Sequence, residues 1–313
     1  MGGYVSARPD SYTIQLSSGR ISVIDQGRGL PVLLGHGLLW GHAMCIPQLR
    51  ALRPHCRVLV PEMWGHGASG ALPPSTRTVA DIADHMIELL DALHIERCVV
   101  VGSSIGGMWG AHLAARAPQR VAGLAIMNSF LGQEPKAKRT VYEAILDRVA
   151  EEGTISKHVA DLIVPLFFGS DIERRARELP RELRRRLSSF TSDQLRRSIV
   201  PLGRIIFGRR DALPILSQIE APTLVLAGAD DRVHPAHESR IMTTLLDCGM
   251  TVVAGCGHTA TLEQPGRVNA ALLDFLSHLA WTREIDQHAA GWLATTDPSS
   301  AGSTAAPHLP ICA

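Results

Sequence analysis

The sequence has few aromatic residues and almost no excess of charge of either sign. Aromatic side chains make up 4% of the 313 residues, and the formal net charge is +1. A surface that stacks nucleic-acid bases or attracts a polyanion needs aromatic or basic side chains in excess, so no nucleic-acid partner is expected. An anionic membrane surface would need the same positive charge, so no membrane partner is expected either.

The chain also lacks a long apolar run. No stretch approaches the ~18 apolar residues that suggest a membrane-spanning helix. The first residues lack the basic segment followed by an apolar one that marks a secretory signal. The six cysteines show no C-x-x-C spacing and several lie in apolar runs, so buried free thiols are expected. These absences predict a cytoplasmic protein.

The pattern of apolar residues predicts an α/β domain interrupted by a helical insertion. Residues 10–130 and 216–282 alternate short apolar strands with amphipathic helices, the order of a doubly wound, mostly parallel sheet. Residues 131–215 are helical in pattern throughout and are predicted to form an inserted helical cap. Residues 283–313, whose end is rich in Ala, Ser, Thr and Pro, are predicted to be a flexible tail.

Two features of the predicted cap bear on its helices. Pro180 and Pro201 suggest kinks or breaks, because proline lacks an N–H and crowds the preceding turn. The arginine-rich stretch 174–186 contains interspersed glutamates, which favours a solvent-exposed helix face with ion pairs over an anion or partner site.

The most informative motif is GSSIG at residues 102–106, which directly follows the apolar run 98–101. A G-x-S-x-G sequence between a buried strand and a helix places its serine at a tight turn, with the hydroxyl exposed. Ser104 is therefore the predicted nucleophile. A serine hydroxyl is a poor nucleophile at neutral pH and needs a base within hydrogen-bond reach, usually a histidine that a carboxylate holds in place.

Two residues downstream of Ser104 meet these requirements. Asp231 follows the predicted strand 223–227, and His258 follows the predicted strand 251–254. Both lie at the carboxyl ends of strands, where loops converge in a doubly wound sheet, and the order serine, acid, histidine is one that catalytic triads use. Asp230 competes with Asp231 for the role of the acid; the other would then be a loop cap or an ion-pair partner.

Acyl transfer also needs N–H donors for the oxyanion of its tetrahedral intermediate. The backbone N–H of Ile105 is one candidate, because it follows the nucleophile at a helix N-terminus. The loop after the strand 31–34 should supply the second. Leu38 is the predicted donor there, with Gly37 letting its amide turn inward. His36 is expected to orient this loop by hydrogen bonding, and a role as the general base is the alternative.

A glycine-rich stretch at residues 65–70 could be mistaken for a phosphate-binding loop. It lacks the G-K-[ST] ending of a P-loop and the full G-x-G-x-x-G pattern of a dinucleotide site. A tight turn beside the site is the better interpretation.

Together these motifs resemble the α/β-hydrolase superfamily. The segments that carry the likeness are 35–37, 61–69, 102–107, 228–235 and 257–265. In this family's pattern the fourth residue of G-x-x-D is the triad acid, which implies Asp231. The resemblance also implies a sheet domain with an inserted cap that roofs the site.

Within the superfamily the chain is most similar to cap-bearing 3-oxoadipate enol-lactonases and related ester and carbon–carbon bond hydrolases. It departs from them at Glu62, where many members have Asp, and at Cys45, where many have Trp. Carbon–carbon hydrolases often carry an aromatic soon after the histidine, where this chain has Thr259 and Thr261. A serine nucleophile disfavours haloalkane dehalogenase and epoxide hydrolase activity, which use Asp.

The predicted reaction is hydrolysis of a carboxylic ester or lactone through an acyl-enzyme, on a small to medium, mainly apolar substrate. No metal or organic cofactor is implied, and the oligomeric state is left open. The alternatives are carbon–carbon bond hydrolysis on the same triad, acyl transfer to an alcohol, and a non-catalytic binding protein that keeps the fold. The residues expected to line the substrate pocket are Leu39, Trp40, Ser103, Met108, Phe130, Phe167 and Phe168. The core of the cap is the alternative place for the two of these residues that lie in the cap, Phe167 and Phe168.

Overall fold

The computed structural model describes residues 11–279, and the predicted tail at 283–313 lies outside them. Eight strands form one sheet: β1 (Ser11–Leu16), β2 (Gly19–Gln26), β3 (Pro31–Gly35), β4 (Arg57–Glu62), β5 (Cys98–Ser103), β6 (Val121–Met127), β7 (Thr223–Gly228) and β8 (Met250–Val253). Their order is β1-β2-β4-β3-β5-β6-β7-β8. Strand β2 pairs antiparallel with β1 and β4, and every other neighbouring pair is parallel. The doubly wound, mostly parallel sheet predicted from the sequence is confirmed.

At least one helix follows each strand from β3 onward, and six α-helices lie in succession between β6 and β7. The α-helices are α1 (Ile46–Leu52), α2 (Val79–Ala92), α3 (Ile105–Arg116), α4 (Lys136–Glu152), α5 (Lys157–Ile163), α6 (Ile172–Ala176), α7 (Glu178–Ser189), α8 (Ser192–Gln194), α9 (Val200–Phe207), α10 (Ala236–Leu246), α11 (Ala260–Glu263) and α12 (265–279). Short 3-10 helices lie at Gly41–Cys45, Pro118–Arg120, Val164–Phe167 and Leu213–Gln218. Within the described residues, no helix is long and apolar enough to cross a membrane.

Strand β5 lies in the middle of the sheet because it can bury both of its faces. All six of its residues are buried. Val100 packs in the core on the side of α2, α3 and α10, whereas Val99 and Val101 pack on the side of α1 and α12. This alternation is the period of two that a strand imposes on its side chains. Ser104 directly follows β5, so the predicted nucleophile lies at the carboxyl edge of the centre of the sheet.

Helix α2 begins where the sequence predicts a capping box. The backbone N–H of Asp81 donates to Thr78 Oγ1 at 3.2 Å, and the backbone N–H of Thr78 donates to Asp81 Oδ2 at 2.8 Å. Such a cap stabilises a helix start by about 1 kcal/mol. The five cysteines within the described residues are free thiols, and all except Cys248 are buried.

Every described element between β6 and β7 is helical, and we call α4 to α9 the insertion helices. Their apolar side chains form a cluster of their own, which includes Val159, Leu183 and Leu195. Trp40 and Met44, from the segment after β3, belong to the same cluster. The insertion helices therefore pack on the sheet domain next to the turn that carries Ser104.

The two prolines of the insertion that the sequence singles out, Pro180 and Pro201, both lie next to an irregular turn. Pro201 lies in α9, just after a π-helical turn at Leu195–Ile199; a wider turn accommodates a residue that has no N–H and crowds the turn before it. The break predicted at Pro180 is present in the turn before it, where Arg177 separates α6 from α7. Pro180 itself lies in the first turn of α7, where its missing N–H is not needed.

The arginine-rich stretch forms ion pairs with its own neighbours. Arg181 contacts Glu178 at 2.9 Å, and Arg186 contacts Glu182 at 2.8 Å. Arg175 and Arg184 also reach residues outside the stretch: Arg175 contacts the buried carboxylate of Glu263 at 3.1 Å, and Arg184 contacts Asp161 at 2.6 Å.

Candidate active site

Ser104 lies in the turn between β5 and α3 with a backbone conformation that few non-glycine residues adopt. Its φ is 56° and its ψ is −123°, and such a conformation costs about 1–3 kcal/mol and persists only where the surroundings impose it. The surroundings do impose it. A Cβ atom on Gly106 would lie 2.3 Å from the carbonyl oxygen of Gly35, and one on Gly102 would lie 2.1 Å from that of Gly106. Only glycine fits at these positions, which explains the G-x-S-x-G pattern.

His258 and Asp231 form a buried hydrogen bond between the loops after β8 and β7. Nδ1 of His258 donates to Oδ2 of Asp231 at 2.9 Å, and the two side chains are 3% and 0% exposed. The same Oδ2 accepts from Asn128 Nδ2 at 3.0 Å. Oδ1 accepts from the backbone N–H groups of Val233 and His234 at 2.8 and 2.9 Å. Asp231 is thus fixed in place by hydrogen bonds to both of its oxygens.

These contacts set the charge of the acid. Burial by itself raises the pKa of Asp231, but the positive charge and the hydrogen bond of His258 lower that pKa to about 2. The carboxylate is therefore ionised at neutral pH. Because Nδ1 of His258 donates to it, Nε2 is the ring atom that can take up a proton from the nucleophile. Asp230 is exposed and lies outside this contact.

The loop after β3 approaches the nucleophile from the opposite side. A Cβ atom on Gly37 would lie 3.4 Å from Cβ of Ser104, so the backbone of this loop lies close to the reacting hydroxyl. Leu38 lines the same cavity as Ser104 and His258. Leu39 has a φ of 73°, so the chain turns sharply here. Both residues predicted to supply oxyanion donors, Leu38 and Ile105, are therefore next to Ser104.

Two buried histidines hold this loop. His36 donates from Nδ1 to the carbonyl of Gly37 at 2.8 Å and accepts at Nε2 from the N–H of Met63 at 3.0 Å. Burial lowers the pKa of His36 to about 3, so the ring is neutral. His66 accepts at Nε2 from the N–H of Leu39 at 3.1 Å. Since both ring nitrogens of His36 are engaged, the geometry favours the orienting role over the role of general base.

The glycine-rich segment 65–70 is a tight turn wrapped around a carboxylate. Glu62 accepts from His42 Nδ1 at 2.6 Å and from the N–H of Ala68 at 3.3 Å. Burial raises the pKa of Glu62, but its hydrogen bond and ion pair with His42 outweigh burial and bring that pKa to about 2. A Cβ atom on Gly67 would lie 1.4 Å from the carboxylate. A negative charge at the centre of this turn excludes phosphate from it.

A cavity of about 100 Å³ lies over Ser104 and His258. The insertion helices supply most of its wall, and most of the side chains in that wall are apolar. They include Ile145, Leu146, Val149, Val159, Ile163, Phe167, Ile199, Val200 and Phe207. The polar side chains among the lining residues are Ser104, Tyr142, His234 and His258. The cavity therefore fits a short apolar group that carries few polar atoms.

A larger cavity of about 710 Å³ lies on the other side of Leu39. Its lining is polar and includes Arg50, Arg53, His42 and Glu62. Neither Ser104 nor His258 lines it, so the smaller cavity is the one that adjoins the candidate reacting groups.

The predicted pocket residues are divided between the small cavity and the surrounding core. Leu39 and Phe167 line the cavity, and the Phe167 ring centroid lies 5.8 Å from that of His258. Trp40 and Phe168 pack edge to face in the apolar cluster of the insertion, with centroids 6.2 Å apart. Phe168 therefore takes the place that is the alternative for a cap residue, in the core of the insertion, while Trp40 packs beside it and lines the larger cavity.

The other three predicted pocket residues lie behind the site. Met108 and Phe130 belong to the apolar core of the sheet domain. Phe130 also contacts the ring of His234, at a centroid distance of 6.3 Å. Ser103 is 1% exposed, which separates it clearly from Ser104 at the cavity.

Sequence reasoning missed two polar residues of the cavity. His234 is the third residue after Asp231 and donates its backbone N–H to that carboxylate, so its spacing from the acid was an available signal. Tyr142 lies on α4 and stacks on Phe207 at a centroid distance of 4.2 Å. No motif marks Tyr142, and only the packing of α4 against α9 brings it to the cavity.

Comparison with known proteins identifies the family. The family model described as alpha/beta hydrolase fold matches residues 31–265, so the chain belongs to that family, as the motifs predict. A relative from Yersinia enterocolitica, provisionally named carbamate hydrolase RutD, is 32% identical over 251 residues, covering 78% of this chain and 86% of that protein. The chain is therefore a hydrolase, and its family acts on small-molecule substrates.

Solved structures agree with this assignment. A thermophilic esterase from Thermogutta terrifontis has a TM-score of 0.76 and 26% identity, over 86% of this chain and 99% of that one. An enol-lactonase from Burkholderia xenovorans has a TM-score of 0.73 and 22% identity, over 85% of this chain and 100% of that one. At this lower identity the second likeness shows the fold alone.

Proposed function

We propose that the protein hydrolyses a carboxylic ester or lactone through an acyl-enzyme, with Ser104 as nucleophile, His258 as general base and Asp231 as its carboxylate partner. The observation that carries this proposal is the buried 2.9 Å hydrogen bond between His258 and Asp231. It lies beside a serine held at a φ of 56°, and Ser104 and His258 line one apolar cavity. Three loops at one edge of the sheet supply these three residues.

In the proposed reaction, Oγ of Ser104 attacks the carbonyl carbon while Nε2 of His258 takes its proton. The resulting imidazolium faces Asp231, whose carboxylate is ionised and stabilises the positive charge. The N–H groups of Leu38 and Ile105 donate to the oxyanion. His258 then protonates the departing alkoxide. In the second half of the reaction, water gives a proton to Nε2 of His258 and attacks the acyl carbon. His258 returns that proton to Oγ of Ser104, and the acid is released.

The cavity supports a short acyl group as the part of the substrate that becomes attached to Ser104. Its volume is about 100 Å³, whereas an apolar cavity of roughly 150 Å³ takes benzene. An acyl chain of about four carbons fits this space and the apolar wall of the insertion helices.

Carbamate hydrolysis is the second candidate, because relatives of this chain bear that name. The same steps would form a carbamoyl-enzyme on Ser104. Carbon–carbon bond hydrolysis and acyl transfer to an alcohol use the same three residues, so assays of a vinylogous diketone and of alcohol acceptors belong in the same panel.

The test is hydrolysis of p-nitrophenyl butyrate by the wild-type protein, Ser104→Ala and Ser103→Ala. We expect Ser104→Ala to lower kcat by at least about 10⁴-fold, as loss of a triad nucleophile does. Ser103→Ala is the matched control and should stay within about threefold of wild type. A fluorophosphonate should label the wild-type protein but not Ser104→Ala. Full turnover by Ser104→Ala would overturn the proposal.

A further inference from the structure

His234 is a second buried histidine in the wall of the small cavity. Its ring centroid lies 5.6 Å from that of His258, and both rings line the same space as Ser104. Nδ1 of His234 donates to Oε2 of Glu238 at 2.9 Å. Its backbone N–H donates to Asp231 at 2.9 Å. One hydrogen bond thus holds the ring and another holds the backbone of His234 beside the candidate reacting groups, and the proposed triad does not use the ring.

The hydrogen bond to Glu238 decides which atom of His234 remains for a ligand. A carboxylate only accepts, so Nδ1 carries the proton and Nε2 is the other polar atom of the ring. Burial lowers the pKa of His234, with Arg209 and His258 acting in the same direction, while Glu238 and Asp231 oppose them. The net direction is downward, so the ring is neutral at neutral pH. Nε2 of a neutral ring with Nδ1–H is an acceptor.

We propose that His234 binds substrate by accepting, at Nε2, a hydrogen bond from an O–H or N–H group on the acyl part. This inference rests on the proposed acyl transfer at Ser104. Because most of the cavity wall is apolar, a donor on the acyl group has few other partners there. A few fixed polar groups in such a pocket set the specificity. The preferred substrates are then short hydroxyacyl esters or N-alkyl carbamates.

A purely structural role for His234 predicts something different. If the pair of His234 and Glu238 only stabilised the start of α10, its loss would change the turnover of all substrates by the same factor. A binding role instead changes the ratio between a substrate that has the donor and one that lacks it.

The experiment compares ester pairs that differ by one donor. Two pairs set p-nitrophenyl 2-hydroxybutyrate and p-nitrophenyl 3-hydroxybutyrate each against the butyrate ester. The third pair sets p-nitrophenyl N-ethylcarbamate against the butyrate ester, an exchange of NH for CH₂. Each ratio of kcat/KM is measured in wild type and in His234→Phe, so that the intrinsic reactivity of the esters cancels. We expect at least one ratio to fall about tenfold in His234→Phe, the size of one hydrogen bond. The pair that responds shows whether the donor is O–H or N–H.

Glu238→Gln is the matched control, because its amide oxygen still accepts from Nδ1 of His234. We expect Glu238→Gln to keep the wild-type ratios of kcat/KM within about twofold. A fall in these ratios would assign the selectivity to the charge of Glu238 and contradict the role of His234. Ratios that stay unchanged in His234→Phe overturn the proposal for His234, whereas butyrate turnover that survives in Ser104→Ala overturns the proposed function.

Binding gives a second measurement if His234→Phe fails to fold. In Ser104→Ala, which retains His234, we expect 3-hydroxybutyramide or N-ethylurea to bind about tenfold more tightly than butyramide. Equal affinities of all three compounds would overturn the proposal without any change at His234.

Discussion

The two sides of the small cavity are built on different interactions. On the side of the sheet, hydrogen bonds fix each polar group, and Asp231 alone accepts from the side chains of His258 and Asn128 and from two backbone N–H groups. On the side of the insertion helices, apolar side chains such as Leu146 and Val149 form the wall by packing. Hydrogen bonds are directional and apolar packing is not. Substitutions on the sheet side should therefore cause large losses of activity, whereas substitutions on the insertion side should change the shape of the cavity by small steps.

The largest effect is expected where the hydrogen bonds are densest. Asp231→Asn should lower kcat for p-nitrophenyl butyrate by about 10⁴-fold with a small change in KM, because an amide can donate to Nδ1 and hold His258 in the wrong tautomer. Steady-state kinetics at pH 7 measure this. Asp230→Asn is the matched control, since Asp230 is the exposed neighbour, and it should stay within about twofold. Equal losses in both variants would contradict the assignment of the acid.

A smaller effect is expected from the carboxylate inside the turn at 65–70. The pKa of Glu62 lies at about 2 instead of 4.5, which corresponds to about 3 kcal/mol of stability. Because the pKa is lowered on folding, this stability is present above pH ~4.5 and is lost as the pH falls toward 2. Glu62→Gln should therefore be less stable than wild type at pH 7, and the difference should shrink between pH 5 and 2.

Urea unfolding at a series of pH values measures this difference. Glu143→Gln is the control, because Glu143 forms an exposed pair with Arg139 on α4, and exposed pairs add little stability. A gap between wild type and Glu62→Gln that stays constant from pH 5 to 2 would contradict the role of the Glu62 carboxylate.

The sequence predicts the sheet side well because its residues are tied to strand ends. Ser104, Asp231 and His258 each follow an apolar run that ends at the same edge of the sheet, so topology alone brings their loops together. The glycines at 102 and 106 mark the tight turn for a steric reason, since a Cβ atom at either position would collide with backbone.

The cavity residues on the insertion side cannot be predicted from the sequence, because the packing of the helices determines which side chains reach the cavity. Tyr142 and Phe207 reach the cavity through the contact of α4 with α9, and no short-range pattern states which helices pack together. Trp40 and Phe168 show the same limit, since both lie close in sequence to cavity residues and yet pack against each other. The sequence predicts the break near Pro180, but the residue at which it falls depends on where the next helix begins.

The smallest effect is expected from a substitution in the apolar wall that the insertion helices form. Leu146 lines the cavity from α4, and Leu146→Ala should make room for about two more methylene groups of an acyl chain. Each buried methylene is worth about 0.8 kcal/mol, so the ratio of kcat/KM for p-nitrophenyl hexanoate over butyrate should rise about tenfold while butyrate turnover changes little. Leu162→Ala is the control, because Leu162 on α5 is 51% exposed and should leave the ratio unchanged. If Leu146→Ala instead abolished turnover of both esters, activity would be as sensitive to substitution in the wall as at the edge of the sheet. The contrast between the two sides of the cavity would then not hold.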